Sequence, residues 1–147
     1  KSAFDKAMLM SNRKAMSLSD QFCVERHKDS FLDLVKNKLD IIFANEQEIK
    51  SLINAKSFED VITFGKQLKK LLVITRGKNG SIAIKNNEVT VCESKSNLNI
   101  VDLTGAGDLF AAGFLHGFMN NFSTKQSLEK GTEMSSKIIQ KVGARLT

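Results

Sequence analysis

Three small residues and an acid stand directly before an apolar stretch near the end of the 147-residue sequence. The segment LTGAGD places Gly105, Ala106 and Gly107 ahead of Asp108, and residues 109–118 are almost entirely apolar. A helix N-terminus leaves backbone N–H groups unpaired and attracts anions. Glycines remove Cβ atoms and let the backbone approach a phosphate closely. The segment is therefore either an anion site or a plain strand-to-helix turn in which Asp108 complements the helix dipole.

Asp108 has a second chemical use if the segment is an anion site. A carboxylate at the mouth of such a cradle can accept the proton of an attacking hydroxyl, and phosphoryl transfer requires little beyond that base, in-line positioning and charge stabilisation. The segment is not a P-loop, because no GK[ST] follows, and it is not GxGxxG. From these residues alone, the catalytic and the structural interpretations stay open.

A second pair of polar residues lies where a predicted strand passes into a predicted helix. Asn45 and Glu48 have the i and i+3 spacing of a capping box, which is the interpretation that the spacing favours. The alternative places Glu48 near a hydrated Mg²⁺ or near phosphates, because magnesium keeps most of its waters and takes few carboxylates.

A third segment, TRGKNG, follows the strongest predicted strand. Its last three residues are typical of a turn in any protein. The functional interpretation is that Thr75 and Gly77 contact nucleotide phosphates through a hydroxyl and the backbone, with Arg76 or Lys78 adding positive charge. The segment alone does not decide between them.

The elements that would position these residues alternate between strands and helices. Strands are predicted at residues 14–19, 40–45 and 71–75, with a β-hairpin of residues 81–85 and 88–93 around Asn86 and Asn87; helices are predicted at the start of the chain and at 30–39, 46–54, 58–70, 107–120 and 124–142. This order predicts an α/β fold: a Rossmann-like, mainly parallel sheet flanked by helices, with one small antiparallel hairpin. The apolar helix after Asp108 is expected to be buried on all sides.

Composition excludes several classes of function. The net charge is +6, but the Lys and Arg residues are scattered among acids and there is no Trp or Tyr, so a solvated basic surface is favoured over a nucleic-acid partner. Cys23 and His27 lack the second pair of ligands that zinc needs. No apolar run approaches the roughly 20 residues of a membrane span, so we expect no membrane partner and a cytoplasmic location.

In their order along the chain, the NxxE of Asn45–Glu48, the TxGxxG of Thr75–Gly80 and the DxTGAGD of Asp102–Asp108 resemble the ribokinase (PfkB) family of carbohydrate kinases. The longer string DLTGAGDLFAAGF is similar to the C-terminal signature of that family. The segment SLSDQF ahead of DIIFANE looks more like the adenosine kinase branch, although Asp20 and Gln21 replace its usual Ala-Pro. The resemblance implies a ribokinase-like fold.

The same resemblance implies that the γ-phosphoryl group of ATP is transferred to a hydroxyl of a sugar or nucleoside. Asp108 would be the base that takes the hydroxyl proton, and Gly105, Ala106 and Gly107 would form the backbone anion hole. Asn45 and Glu48 would hold Mg²⁺ and its waters, and Thr75, Gly77 and Gly80 would contact the nucleotide. Asp102 and Thr104 would belong to a K⁺ loop that many members have, with Gly143 and Ala144 beside that loop and the adenine pocket.

Members of this family are considerably longer than 147 residues. The resemblance therefore implies that residues 1–147 are the nucleotide-binding C-terminal part, without the N-terminal half, without most sugar-contacting residues, and without the lid through which many relatives form homodimers. We expect this part to be inactive alone. The alternative is a non-catalytic nucleotide-binding or regulatory module that keeps the fold, against which Asp108 argues, since a pure binder has no use for a base there.

Overall fold

The computed structural model describes residues 2–145; Lys1, Leu146 and Thr147, which the predicted domain 1–147 includes, lie outside the described residues. The elements in chain order are α1 (Ser2–Met10), β1 (Ala15–Ser17), α2 (Gln21–Arg26), α3 (Lys28–Asp33), a π-helical turn (Leu34–Lys38), β2 (Ile41–Asn45), α4 (Glu46–Ile53), α5 (Phe58–Leu68), β3 (Leu71–Thr75), a 3₁₀ turn (Gly77–Asn79), β4 (Ser81–Lys85), β5 (Glu88–Cys92), α6 (Ala106–Met119) and α7 (Thr124–Ile138).

The five strands form one sheet in the order β1-β2-β3-β4-β5. Strands β1 and β2 are parallel, with Ala15 opposite Ile41, and the helical connection from β2 to β3 is of the kind that joins parallel strands. Residues 76–80 and the pair Asn86–Asn87 are too short for such a crossover, so β4 runs antiparallel to both β3 and β5. The predicted α/β fold with a mainly parallel sheet and a small hairpin is confirmed.

Most predicted elements agree with the structure to within a few residues, but the segment before β2 differs. Helix α2 was not expected from the sequence; Asp20 begins it, since its carboxylate accepts the backbone N–H of Phe22 at 2.8 Å. The predicted helix at 30–39 is instead α3 followed by the π-helical turn, and α7 ends at Ile138 rather than at Val142. For α2, a single local capping bond outweighs the weak periodicity of a six-residue segment.

The chain divides into two compact units. The first comprises the residues up to Leu72 together with Ile84–Asn87, and the second comprises Val73–Ala83 together with the residues from Glu88 onward. The core of the first unit is formed by strand β2, which is buried over residues 41–44, and by apolar side chains of the surrounding helices, namely Val24, Val35, Ile49, Leu52 and Val61. Strand β2 is therefore a near-continuous apolar run, as a strand covered on both faces requires.

Helices α6 and α7 pack closely in the second unit. A Cβ added at Gly113 would lie 2.7 Å from the carbonyl oxygen of Lys130, and one added at Gly131 would lie 2.8 Å from that of Phe110. Glycine is thus required at both crossing points. Helix α6 is not buried on all sides as expected: Phe110 and Phe114 are buried, whereas His116 and Met119 are exposed, because only one face packs.

Within residues 2–145, no helix combines the length and the hydropathy that crossing a bilayer demands.

Candidate functional site

The N-terminus of α6 has no side-chain cap. Gly105 is the N-cap residue, with a left-handed backbone (φ +77°), and its carbonyl accepts the N–H of Leu109 at 2.9 Å. The N–H of Ala106 is bonded to the Leu103 carbonyl at 3.2 Å. Within the described part of the chain, the N–H groups of Gly107 and Asp108 have no acceptor. Two donors and the positive end of a helix dipole are therefore available for an anion.

The two glycines of this turn differ in whether the fold requires them. A Cβ added at Gly105 would lie 3.0 Å from the Cβ of Ala144, and the positive φ is itself unfavourable for other residues. A Cβ added at Gly107 would meet no atom within 4 Å, and its backbone is helical. Gly105 is thus required by the fold, whereas the protein leaves the space beside Gly107 open.

Asp108 lies in the first turn of α6 and is exposed. A carboxylate in this position stabilises the helix through the dipole, which accounts for the residue without any catalysis. Its exposure also leaves its oxygens accessible to a substrate hydroxyl. The structure therefore permits both interpretations of Asp108.

The loop before α6 is ordered by Asp102. One carboxylate oxygen accepts the backbone N–H of Thr104 at 2.9 Å and its hydroxyl at 2.7 Å, and the other accepts the backbone N–H of Gly143 at 3.0 Å. These hydrogen bonds from Thr104 and Gly143 hold the pKa of Asp102 below its usual value. The predicted residues Asp102, Thr104, Gly105, Gly143 and Ala144 are thus brought together in one cluster.

The glycines of TRGKNG shape a tight turn after β3. Gly77 has φ +55°, and a Cβ there would meet nothing within 4 Å. Gly80 has φ +80°, and a Cβ there would collide with the carbonyl oxygen of Cys92. The N–H of Arg76 closes the turn by donating to the Gly80 carbonyl at 2.8 Å. Gly80 is therefore required by the fold, and Gly77, like Gly107, faces open space.

A cavity of about 640 Å³ in the second unit joins this turn to the start of α6. Six of the residues predicted from the sequence line it: Thr75, Gly77, Lys78, Gly80, Ala106 and Gly107. Thr104, Gly105, Asp108, Gly143 and Ala144 are not among its lining residues, so Asp108 belongs to the same helix turn but not to the cavity wall.

Both charged residues that line the cavity are positive. These residues are Lys78 and Lys95, and no carboxylate lines the cavity. Neither ammonium group has an ion-pair partner within residues 2–145. The hydroxyl of Ser94 donates to the carbonyl of Lys78 at 2.7 Å and so holds the segment after β5 against the turn after β3. The cavity is suited to an anionic ligand.

Several lining residues were missed in the sequence. They comprise Ser81, the segment 94–98, Ile100, Leu103 and Phe110, and the α7 residues Thr132, Ser135, Ser136 and Ile139. The spacing of Thr132, Ser135 and Ser136 indicates one face of a helix. Nothing in the spacing shows that this face meets the turn after β3, which is a tertiary relationship.

Asn45 and Glu48 lie in the first unit and form a reciprocal capping box at the start of α4. The Glu48 carboxylate accepts the backbone N–H of Asn45 at 2.8 Å and its side-chain amide at 3.0 Å, while the N–H of Glu48 donates to the Asn45 amide oxygen at 2.8 Å. Burial raises the pKa of Glu48, and the nearby charge of Asp20 acts in the same direction, against the lowering effect of the Asn45 backbone N–H. The capping interpretation is confirmed.

No group of three or more His, Cys, Asp or Glu side chains in the described residues is arranged to hold a metal ion. Glu48 and Asn45 nevertheless offer carboxylate and amide oxygens, each with a lone pair that the capping box does not use. Such oxygens fit a magnesium ion that keeps its waters.

The comparison with known families decides the classification of the chain. The description "pfkB family carbohydrate kinase" matches residues 6–147. The chain belongs to this family. The resemblance to the ribokinase (PfkB) family noted in the sequence is thereby confirmed.

Individual pfkB-family relatives include sugar and nucleoside kinases. The chain is 34% identical over 73% of its length to the ATP-dependent 6-phosphofructokinase of Thermoanaerobacterium thermosaccharolyticum, covering 33% of that protein. It superposes on a probable sugar kinase from Rhizobium etli CFN 42 with a TM-score of 0.88 and 36% identity, over 95% of this chain and 42% of the other. It superposes on the adenosine kinase from Sinorhizobium meliloti with a TM-score of 0.94 and 32% identity, over 98% of this chain and 46% of the other.

The chain thus spans about a third of the length of its curated relative and less than half of the two solved structures. Adenosine kinase is among the similar structures, in agreement with the resemblance of SLSDQF and DIIFANE to that branch.

Proposed function

We propose that residues 1–147 are the nucleotide-binding, C-terminal part of an ATP-dependent kinase that transfers the γ-phosphoryl group to a hydroxyl of a sugar or nucleoside. One observation carries the proposal: a single cavity joins the glycine turn after β3 to the uncapped N-terminus of α6. A nucleotide in this cavity would direct its phosphates at unpaired backbone donors.

The start of α6 acts as the anion hole. The free N–H groups of Gly107 and Asp108 and the positive end of the helix dipole stabilise charge on the transferring phosphoryl group. The open space beside Gly107 lets the phosphoryl oxygens approach the backbone. Gly105 and Ala106 set the turn that aims these donors.

Asp108 acts as the general base. The substrate hydroxyl loses its proton to the Asp108 carboxylate while its oxygen bonds to the γ-phosphorus and the bond to the β-phosphate oxygen breaks, releasing ADP. The exposure of Asp108, together with its absence from the cavity wall, leaves it open to a second substrate beside the nucleotide.

The nucleotide occupies the cavity of the second unit. Thr75 and Gly77 contact its phosphates, and Lys78 and Lys95 balance their charge. Mg²⁺ bound to the phosphates would supply further charge neutralisation. That Asn45 and Glu48, which lie in the first unit, hold Mg²⁺ and its waters stays a prediction from the resemblance.

The K⁺ dependence predicted from the resemblance concerns the loop of Asp102 and Thr104. In the structure this loop is ordered by hydrogen bonds to Asp102 from Thr104 and Gly143. A requirement for K⁺ therefore stays a prediction. Homodimer formation, a cytoplasmic location and inactivity of this part by itself likewise stay predictions.

Acceptor-dependent ADP release by the complete protein tests the proposal. We would supply Mg²⁺-ATP with adenosine, ribose, fructose or no acceptor, each with and without K⁺. Release that requires one acceptor would establish the kinase and its substrate class. Nucleotide binding without release under any condition would instead favour the non-catalytic nucleotide-binding module.

A further inference from the structure

One buried hydroxyl in the cavity wall has no hydrogen-bond partner. Ser81 is the first residue of β4, is 2% exposed and lines the cavity. Its Oγ has neither a donor nor an acceptor within residues 2–145. Buried hydroxyls in native proteins are nearly always bonded, and an orphan calls for an explanation such as a missing ligand.

Three other hydroxyls in the same wall are satisfied by the protein itself. Thr132 donates to the Leu128 carbonyl at 2.9 Å, and Ser136 donates to the Thr132 carbonyl at 2.6 Å. Ser94 donates to the carbonyl of Lys78. Local carbonyls accept a hydrogen bond from each of these three groups, whereas the Ser81 hydroxyl has no such bond.

The surroundings of Ser81 indicate which part of a nucleotide it would meet. Phosphates are expected at the exposed features of the cavity, namely the lysines and the open sides of Gly77 and Gly107. The buried part of the wall contains Ser81 and Phe110, which is 4% exposed. A charged group would lose its hydration there, whereas a planar heterocycle with a few polar atoms suits such a surface.

We propose that the Ser81 hydroxyl hydrogen-bonds the base of the donor nucleotide, which makes Ser81 a nucleotide-contacting residue. The Oγ is buried. Rotation about χ1, the only carbon torsion of serine, moves the hydroxyl between staggered positions, and contact with the base requires the position that faces the cavity. This inference rests on the proposed function, since it requires a nucleotide in the cavity.

Ser127 provides a matched control. Its hydroxyl is also buried without a partner, but it lies on α7 and is not among the cavity-lining residues. Removing either orphan hydroxyl should raise the melting temperature of the nucleotide-free protein, because a buried unsatisfied group is deleted. Only Ser81→Ala should also weaken the binding of a base-containing ligand.

Calorimetric titration of the complete protein with ADP and with tripolyphosphate, which has no base, tests this. We expect Ser81→Ala to raise the Kd for ADP about three- to tenfold, the value of one uncharged hydrogen bond, and to leave tripolyphosphate binding unchanged. Ser127→Ala should change neither Kd. Unchanged ADP binding in Ser81→Ala would overturn the inference, as would an equal loss for both ligands, which would assign the hydroxyl to the phosphates. Failure of the unmodified protein to bind either ligand would instead overturn the proposed function itself.

Discussion

The carboxylate of Asp102 accepts a hydrogen bond from the backbone N–H of Gly143, 41 residues further along the chain, at 3.0 Å. The same carboxylate binds Thr104 through its other oxygen. Asp102 therefore ties the segment after α7 to the loop that begins α6. Gly105 and Ala144 lie next to the linked residues, and a Cβ added at Gly105 would lie 3.0 Å from the Cβ of Ala144.

Replacing Asp102 by Asn should break the link selectively. The amide oxygen can still accept from Thr104, but the amide nitrogen would present a donor to the Gly143 donor. We expect a lower melting temperature and a large change in the amide chemical shift and hydrogen exchange of Gly143, with little change at the start of α4. Wild-type exchange at Gly143 would contradict the role given to Asp102.

Gly107→Ala should separate function from stability. Because nothing lies within 4 Å of the added Cβ and the backbone is helical, the free energy of unfolding should be unchanged or raised by up to about 1 kcal/mol. Turnover of the complete protein should fall about 10²–10³-fold, because the methyl group occupies the approach to the anion hole.

Gly105→Ala is the contrasting variant. Its positive φ and the contact with Ala144 should cost stability, at least about 1–2 kcal/mol from the backbone alone. Denaturant titration and turnover should be measured on both variants. A fully active Gly107→Ala protein would show that the open space there is not used by phosphate.

Lys95→Gln should weaken nucleotide binding through lost charge. Lys95 lines the cavity and has no ion-pair partner in the described chain. The attraction between an exposed ammonium group and a phosphate is modest, so its loss should raise the Kd for the nucleotide about two- to fivefold. The difference should shrink as salt is added. Lys66→Gln, on α5 and not among the cavity-lining residues, is the control; an equal effect of both variants would indicate only a net-charge effect.

The stability of α7 should depend on pH through Glu133. Hydrogen bonds from Lys137 and Lys130 lower the pKa of Glu133 from 4.5 to about 2. A carboxyl with a lowered folded-state pKa stabilises the protein above its unfolded pKa and loses that contribution as pH falls. The melting-temperature difference between wild type and Glu133→Gln should thus be constant above about pH 5 and shrink between pH 4.5 and 2.

Glu129→Gln removes another α7 glutamate, one without an ion pair in the described residues, and controls for the loss of one negative charge. A Glu133→Gln difference that persists unchanged to pH 2 would contradict the assignment to the ion pairs.

Strong local signals made much of the fold predictable. Strand β3 occupies the predicted residues, and the hairpin turns at Asn86 and Asn87, with Asn86 at φ +55°. Helix α2 was missed because six residues carry too little periodicity, and its start depends on a single capping side chain, Asp20. Local spacing also correctly favoured the capping box of Asn45 and Glu48.

The cavity was only half predictable. Thr75, Gly77 and Gly107 were predicted because their segments, in their order along the chain, resemble the motifs of one family, although each segment alone is also compatible with a plain turn. Ser81, Lys95 and the hydroxyl face of α7 carry no local signal, since they come together only when α7 packs beside α6 and the segment after β5 folds back through Ser94. Sequence identifies residues with special backbones; it does not identify the ordinary side chains that tertiary packing places around them.

Asp108→Asn in the complete protein tests most directly the proposal that Asp108 is the base of a kinase. The change keeps the size and the helix position of the side chain but removes its capacity to accept the substrate proton. We predict unchanged ATP binding and a turnover about 10²–10⁴-fold lower than wild type for the best acceptor. Unchanged turnover would contradict the claim and leave Asp108 as a residue that only complements the dipole of α6.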